Sequence, residues 1–157
     1  MAGFFSNSNI HPRGEYDLRL EEARKVARTH GVPFIEDDYD PDGWLLLTRK
    51  FKDEPEKGRR CDVCYAARLG RTAERAAREG FDAFATVMSL SPWKKAAVMN
   101  RIGRQFAARH GLAFLEADFK KKDGFKKSVD LSRAHGLYRQ GYCGCLYSLA
   151  AARKRSP

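Results

Sequence analysis

Three stretches of the chain share one pattern. Apolar residues recur at helical spacing, a polar residue and a glycine follow, and a short apolar run comes next. The punctuation is His30-Gly31 before residues 32–35, Glu79-Gly80 before 81–87, and His110-Gly111 before 112–115. Glycine just past a helix end supplies the left-handed position that closes the last turn. The runs behind it are short and rich in Val, Ile and Phe, as parallel strands covered on both faces are.

The helices between these runs follow from spacing. Residues 15–29 place Leu20, Ala23 and Ala27 on one face. Residues 93–109 place Val98, Ile102 and Phe106 at i, i+4 and i+8, with Ser91-Pro92 as a start signal. Residues 61–79 are rich in Ala and Arg and hold few large apolar side chains. Residues 123–135 form a shorter helix with Phe125 and Val129 inward, and a further helix starts near Leu146. Met1–Phe5 reads as the end of a strand flowing into the turn Ser6-Asn7-Ser8-Asn9. Strands alternating with helices predict an α/β fold: a three-layer, Rossmann-like sandwich with a mostly parallel sheet and flanking helices. A domain rarely begins inside a strand, so another strand and helix are expected upstream.

Composition bounds the class. The 157 residues fit one α/β domain spanning 1–157, and 43% hydrophobic with 32% charged residues describes a globular protein. No apolar run approaches the ~20 residues that cross a bilayer. The first twelve residues show no basic, apolar and cleavage regions of a secretory signal, so a cytoplasmic protein is expected. The net charge of +10 is uneven. Residues 101–157 hold 13 Lys or Arg against 4 Asp or Glu, whereas residues 1–50 hold 7 against 9. The excess sits in Lys120–Lys122, Lys126-Lys127, Arg133, Arg139 and Arg153-Lys154-Arg155. It suits a polyanionic partner or a solvated basic face equally.

The four cysteines form two pairs. Cys61-Asp62-Val63-Cys64 is a C-x-x-C opening a helix, where i, i+3 spacing puts both sulfurs on one face and the helix N-terminus with Arg59 and Arg60 favours thiolates. Zinc ligands, iron–sulfur ligands and a thioredoxin-like redox pair all fit, against two buried structural cysteines. Cys143-Gly144-Cys145 is tighter; such a pair can bind a metal or close a small, strained disulfide, with Gly144 letting the backbone bend. Tyr142 and Tyr147 beside it read first as core aromatics. Together the four sulfurs could hold one zinc, but two geometries suggest two tasks, one metal-bound and one redox.

His30, His110 and His135 occur at helix ends, where charge placement explains them. His11, in the early loop with Asn9, stays ambiguous. Asp37-Asp38-Tyr39-Asp40-Pro41-Asp42 could bind a divalent ion, but reads better as a solvated loop with a helix cap before Trp44. Motifs for nucleotide hydrolysis, dehydrogenase or serine-hydrolase chemistry are absent.

The combination of R-C-x-x-C-Y, S-P-x-K and L-Y-R-Q-x-Y-C-G-C resembles the cobalamin-independent epoxyqueuosine reductases, the QueH family. Matching segments are GFFSNSNIHP at 3–12, DYDPDGW at 38–44, DEPEKGRRCDVCYAARLGRTAERA at 53–76, GFDAFATVMSLSPWKK at 80–95 and KKDGFKKSVDLSRAHGLYRQGYCGCLYS at 121–148. The resemblance implies reduction of the epoxide of epoxyqueuosine in tRNA to queuosine, the last step of this wobble-base modification. It implies a [4Fe-4S] cluster with Cys61 and Cys64 as two ligands, and Cys143 and Cys145 as a redox-active disulfide pair. It also implies a tRNA anticodon loop as partner and an electron donor not identified by the sequence. The family's other two cluster ligands come from an adjacent Cys-Cys motif on an upstream strand that this sequence does not contain. The expectation is a chain truncated at its N-terminus by a mis-assigned start. Competing with the enzyme are a non-catalytic, zinc-stabilised tRNA-binding module and a thiol oxidoreductase acting on proteins.

Overall fold

The computed structural model describes residues 1–154, so Arg155 of the expected basic cluster lies outside the described residues. The fold is mixed α/β. In chain order the elements are β1 (Gly3–Phe5), α1 (Arg13–Thr29), β2 (Phe34–Glu36), α2 (Pro41–Thr48), α3 (Arg59–Arg78), β3 (Ala83–Phe84), α4 (Ala96–His110), β4 (Ala113–Phe114), α5 (Gly124–Ala134) and α6 (Leu146–Arg153), with short 3-10 turns at Arg49–Phe51 and Val87–Leu90. The chain forms two compact units. One joins Met1–Lys52 with the stretch from Ala134 onward, and the other is Asp53–Arg133.

The punctuation expected from the sequence holds. Gly31, Gly80 and Gly111 sit at φ +60°, +73° and +66°, each ending a helix before a strand. The strands are parallel, but they form two two-stranded sheets, β1–β2 and β3–β4, rather than one continuous sheet. Much of each apolar run lies outside the ladder. After Ala83–Phe84 the chain turns into the 3-10 segment, which Thr86 caps by accepting from the Met88 N–H at 3.2 Å.

In the first unit, Phe4 lies opposite Ile35 in the β1–β2 ladder. Beneath it Ile10, Tyr16 and Leu20 are buried, with Phe5, Phe34 and Tyr39 packed around them. The Tyr16 ring meets Phe5 edge-on at 5.4 Å and Tyr39 at 4.2 Å. Its hydroxyl donates to Glu36 at 3.3 Å. The acidic run is not merely a solvated loop. Asp40 caps α2 by accepting the Gly43 N–H at 2.8 Å, as expected, while Asp37 is buried and accepts from Ser6 Oγ at 2.6 Å.

In the second unit α3 packs on α4. The core is Tyr65, Leu69, Ala73 and Ala76 of α3 with Phe84, Met99, Ile102 and Ala107. The scarcity of large residues on α3 has a physical reason: small side chains let the helices approach. A Cβ on Gly70 would lie 3.0 Å from the Phe106 ring. Two expectations shift. α4 starts at Ala96, not at 93, because 91–95 make a separate turn. α5 buries no residue, and Phe125 is 38% exposed rather than inward. No helix among the described residues is long and apolar enough to cross a membrane.

Two predictions follow from these cores. A Cβ on Gly103 of α4 would meet the Phe114 ring at 2.5 Å, and Phe114 is itself packed edge-on against Phe84. Helix propensity alone favours Ala over Gly by about 1 kcal/mol, whereas overpacking costs ~1–3 kcal/mol. We expect overpacking to win, so that Gly103→Ala lowers the urea midpoint; a raised midpoint contradicts the packing described. The Tyr16 phenol is pushed up to about 12, first by burial and then by Glu36. A raised value means that the neutral phenol is favoured on folding. Its stabilisation is complete below pH 10 and lost as pH rises from 10 through about 12. Melting temperatures across that window should fall more steeply for the wild type than for Tyr16→Phe, and equal slopes would refute it.

Candidate functional site

Cys143, Gly144 and Cys145 lie in a segment, 137–145, that contains no helix or strand. Side chains from elsewhere in the first unit fix its path. The Arg19 guanidinium, on α1, donates from Nη1 to the Cys143 carbonyl at 3.0 Å and from Nη2 to the Tyr142 carbonyl at 3.1 Å. Its Nε pairs with Glu15 at 2.7 Å, and the two side chains are only 12% and 11% exposed. Its carbon also sits 5.2 Å over the Tyr142 ring. Glu15 in turn accepts the Tyr138 hydroxyl at 2.9 and 3.0 Å. An arginine can make these bonds together because its donors form a rigid planar fork.

The loop from Ser6 to Pro12 closes on the same segment. The His11 N–H donates to the Gly144 carbonyl at 2.8 Å, and the Tyr142 hydroxyl donates to the His11 carbonyl. Gly144 is buried at φ +120°, where a Cβ would come within 2.8 Å of Arg19 Nη1 and 3.2 Å of Ile10. Both the backbone angle and the crowding demand glycine there. His11 Nδ1 lies 2.9 Å from the Asn9 carbonyl; a carbonyl only accepts, so Nδ1 carries the proton. His11 Nε2, Asn9 Oδ1 and Trp44 Nε1 are buried polar atoms without a hydrogen-bond partner. The His11 ring lies 5.6 Å from Trp44, which lies 5.9 Å from Tyr147.

The two thiols of this pair differ. Cys143 is half-buried, while Cys145 is 8% exposed and caps α6 by accepting the Ser148 N–H at 3.4 Å. A hydrogen bond with Cys143 and then burial push the Cys145 thiol far up, and donation from Ser148 only partly offsets them. The helix N-terminus alone would favour a thiolate here; the neighbouring sulfur and burial outweigh it. The Cys145 thiol lies within donating distance of Ser148 Oγ, at 3.4 Å. No disulfide joins them in this structure.

Cys61 and Cys64 belong to the second unit, in the first and second turns of α3, and both are half-buried. The Lys57 N–H donates to Cys61 Sγ at 3.3 Å. This backbone donor and the helix start suit an anionic sulfur. The donor set fits two positions of an iron–sulfur cluster. Among the described residues no group of three or more Cys, His, Asp or Glu is placed to hold a metal.

Cys61, Cys64, Cys143 and Cys145 were all readable from the sequence. Arg19 and Glu15 were not, because the contacts that bring them to this segment join residues more than a hundred apart. His11 gave only a faint signal, its place beside Asn9 in the early loop. Tyr142 and Tyr147 are half-buried and belong to neither of the two hydrophobic cores described, so they are not the core aromatics expected.

Comparisons with known proteins agree on one family. The family profile described as epoxyqueuosine reductase QueH matches residues 1–151. The chain is 38% identical over 151 residues to epoxyqueuosine reductase QueH of Streptococcus pyogenes serotype M1, covering 92% of this chain and 59% of that protein. It is 37% identical to the protein of the same name from Acinetobacter baylyi, covering 93% of this chain and 67% of the relative. The Thermotoga maritima protein of that name is 34% identical, with 97% of this chain and 81% of the relative covered. The chain thus spans 59% of the length of its streptococcal relative. With its two cysteine pairs inside the matched region, this chain belongs to the epoxyqueuosine reductase QueH family.

Proposed function

We propose that the chain carries the thiol chemistry of an epoxyqueuosine reductase acting on tRNA in the cytoplasm. The observation that carries this reading is the Cys143–Cys145 pair, two thiols one glycine apart on a loop that Arg19 and His11 hold in place. The reaction is a two-electron deoxygenation. The epoxide oxygen leaves as water, a carbon–carbon double bond forms, and two electrons with two protons are consumed. A dithiol closing to a disulfide releases two electrons and two protons, so the balance is met by Cys143 and Cys145. An external two-electron donor must then reopen the disulfide. Cys143, the more accessible sulfur, is the one an incoming donor meets, while Cys145 keeps its proton for delivery.

His11 and Asn9 support the reading. Buried acceptors without partners on a loop at such a site are the mark of groups that a substrate satisfies. Cys61 and Cys64 would hold two corners of a [4Fe-4S] cluster, with Lys57 donating to one sulfur. Such a cluster, when bound, supplies single electrons and Lewis acidity toward an oxygen. The finer reading of the fold is a three-layer Rossmann-like sandwich, and the parallel pairing within β1–β2 and within β3–β4 supports it.

Anaerobic incubation of the protein, fused behind the Cys-Cys strand of a relative and supplied with iron, sulfide and a reductant, with epoxyqueuosine-containing tRNA tests the proposal. Queuosine should form, and Cys143→Ser or Cys145→Ser should reduce its yield by at least about 100-fold, since neither variant can close the disulfide. One zinc per chain with no iron or acid-labile sulfide, and no queuosine, would establish the zinc-stabilised tRNA-binding module instead.

A further inference from the structure

The turn between the 3-10 segment and α4 presents a tryptophan to solvent. Trp93 is 65% exposed, whereas the chain's other tryptophan, Trp44, is 4% exposed. The turn is ordered rather than loose: the Trp93 N–H donates to Ser91 Oγ at 3.3 Å, and the Lys94 N–H to the Ser91 carbonyl at 3.1 Å. Lys57 ties this turn to the C-x-x-C through every polar group it has. Its N–H donates to Cys61 Sγ at 3.3 Å, its carbonyl accepts Lys95 Nζ at 3.0 Å, and its own Nζ lies 5.1 Å from the Trp93 ring centre. Lys94 Nζ lies 5.8 Å from the buried Tyr65 ring of α3.

Lys57 holds this position at φ +70°, the left-handed region that is strained for a non-glycine residue. Glycine would sit there without strain, but glycine has no cation to place over the indole. A large aromatic left in water beside a lysine ammonium is a poor solution for stability alone. It is a good one for a ligand that brings both a flat π-face and negative charge.

The geometry points to Trp93 as a stacking platform for one unpaired nucleobase of an RNA loop, with Lys57, Lys94 and Lys95 receiving the flanking phosphates. Charge complementarity selects this occupant: one lysine ammonium lies 5.1 Å from the exposed ring and two more lysines follow it in the same turn, and an RNA loop offers splayed bases joined by phosphates. Lys57 links the two features from opposite ends, its backbone N–H on the Cys61 sulfur and its ammonium near the Trp93 ring. This site deepens the RNA-directed reading above and rests on it.

The test uses the full chain and a labelled, unmodified RNA anticodon stem-loop. Trp93 is the exposed fluorophore and Trp44 the buried one, so emission reports directly on the site. Stem-loop binding should quench the wild-type emission, and a duplex of the same stem should not. Anisotropy titrations should show Trp93→Ala binding weakened by roughly 5- to 150-fold and Trp93→Phe by less than about three-fold, with the quench lost in both. Trp93→Ala removes an exposed side chain, so circular dichroism should show it folded. Binding by Trp93→Ala within two-fold of wild type, unchanged wild-type emission at saturation, or equal quenching by poly-glutamate would each overturn the site. Trp93-dependent binding without queuosine formation would sink the proposed activity and leave the platform standing. Queuosine formation by Trp93→Ala at wild-type kcat and KM would do the reverse.

Discussion

One guanidinium holds the chemistry of the first unit in place. Arg19 reaches from α1 to the carbonyls of Tyr142 and Cys143, over a sequence separation of more than 120 residues, while Glu15 fixes its other edge. The segment it grips has no helix or strand of its own to satisfy its backbone. Hydrogen bonds to buried carbonyls are the alternative that folding requires. Take the fork away and two carbonyls, a nearly buried carboxylate and the face of Tyr142 lose their partner together. Such losses are costly because each leaves a desolvated group unmatched. The His11 N–H on the Gly144 carbonyl is the second pin, and Gly144 is where the two pins meet.

The two cysteine pairs use opposite physics. Cys61 and Cys64 sit at the start of α3, half-buried, with a backbone N–H on one sulfur, an environment for anionic sulfur that binds a cation. Cys145 is buried and hydrogen-bonded to Ser148, and its thiol is pushed up by the neighbouring Cys143 and by burial. A thiol that stays neutral beside a more accessible partner suits proton-coupled electron release rather than permanent metal binding. The contrast supports two tasks for the four sulfurs, which their spacing in the chain had suggested.

What the sequence made legible was local. The glycines at 31, 80 and 111 announced helix ends because a left-handed residue is a local requirement. The faces of α1 and α4 followed from spacing, and Asp40 was recognisable as a cap. The lateral assembly was not legible. Nothing in an apolar run states which strand it pairs with, so the two short ladders could not be told from a single sheet. The turn at 91–95 resembled the start of α4 because Ser-Pro signals both. The clamp around Cys143 escaped for the same reason as the sheets. Arg19 and Glu15 look like ordinary surface residues until the fold brings them to this segment.

The account stands most directly on the claim that Cys143 and Cys145 form a reversible dithiol–disulfide couple. Equilibrating the protein in glutathione buffers of graded potential, trapping thiols by alkylation and mapping them by mass spectrometry measures this. The account predicts a single two-electron transition in which the peptide bearing Cys143 and Cys145 loses both alkylation sites together and regains them on reduction. Persistence of both as alkylatable thiols at every potential, or oxidation that joins Cys143 or Cys145 to Cys61 or Cys64 instead, would contradict it.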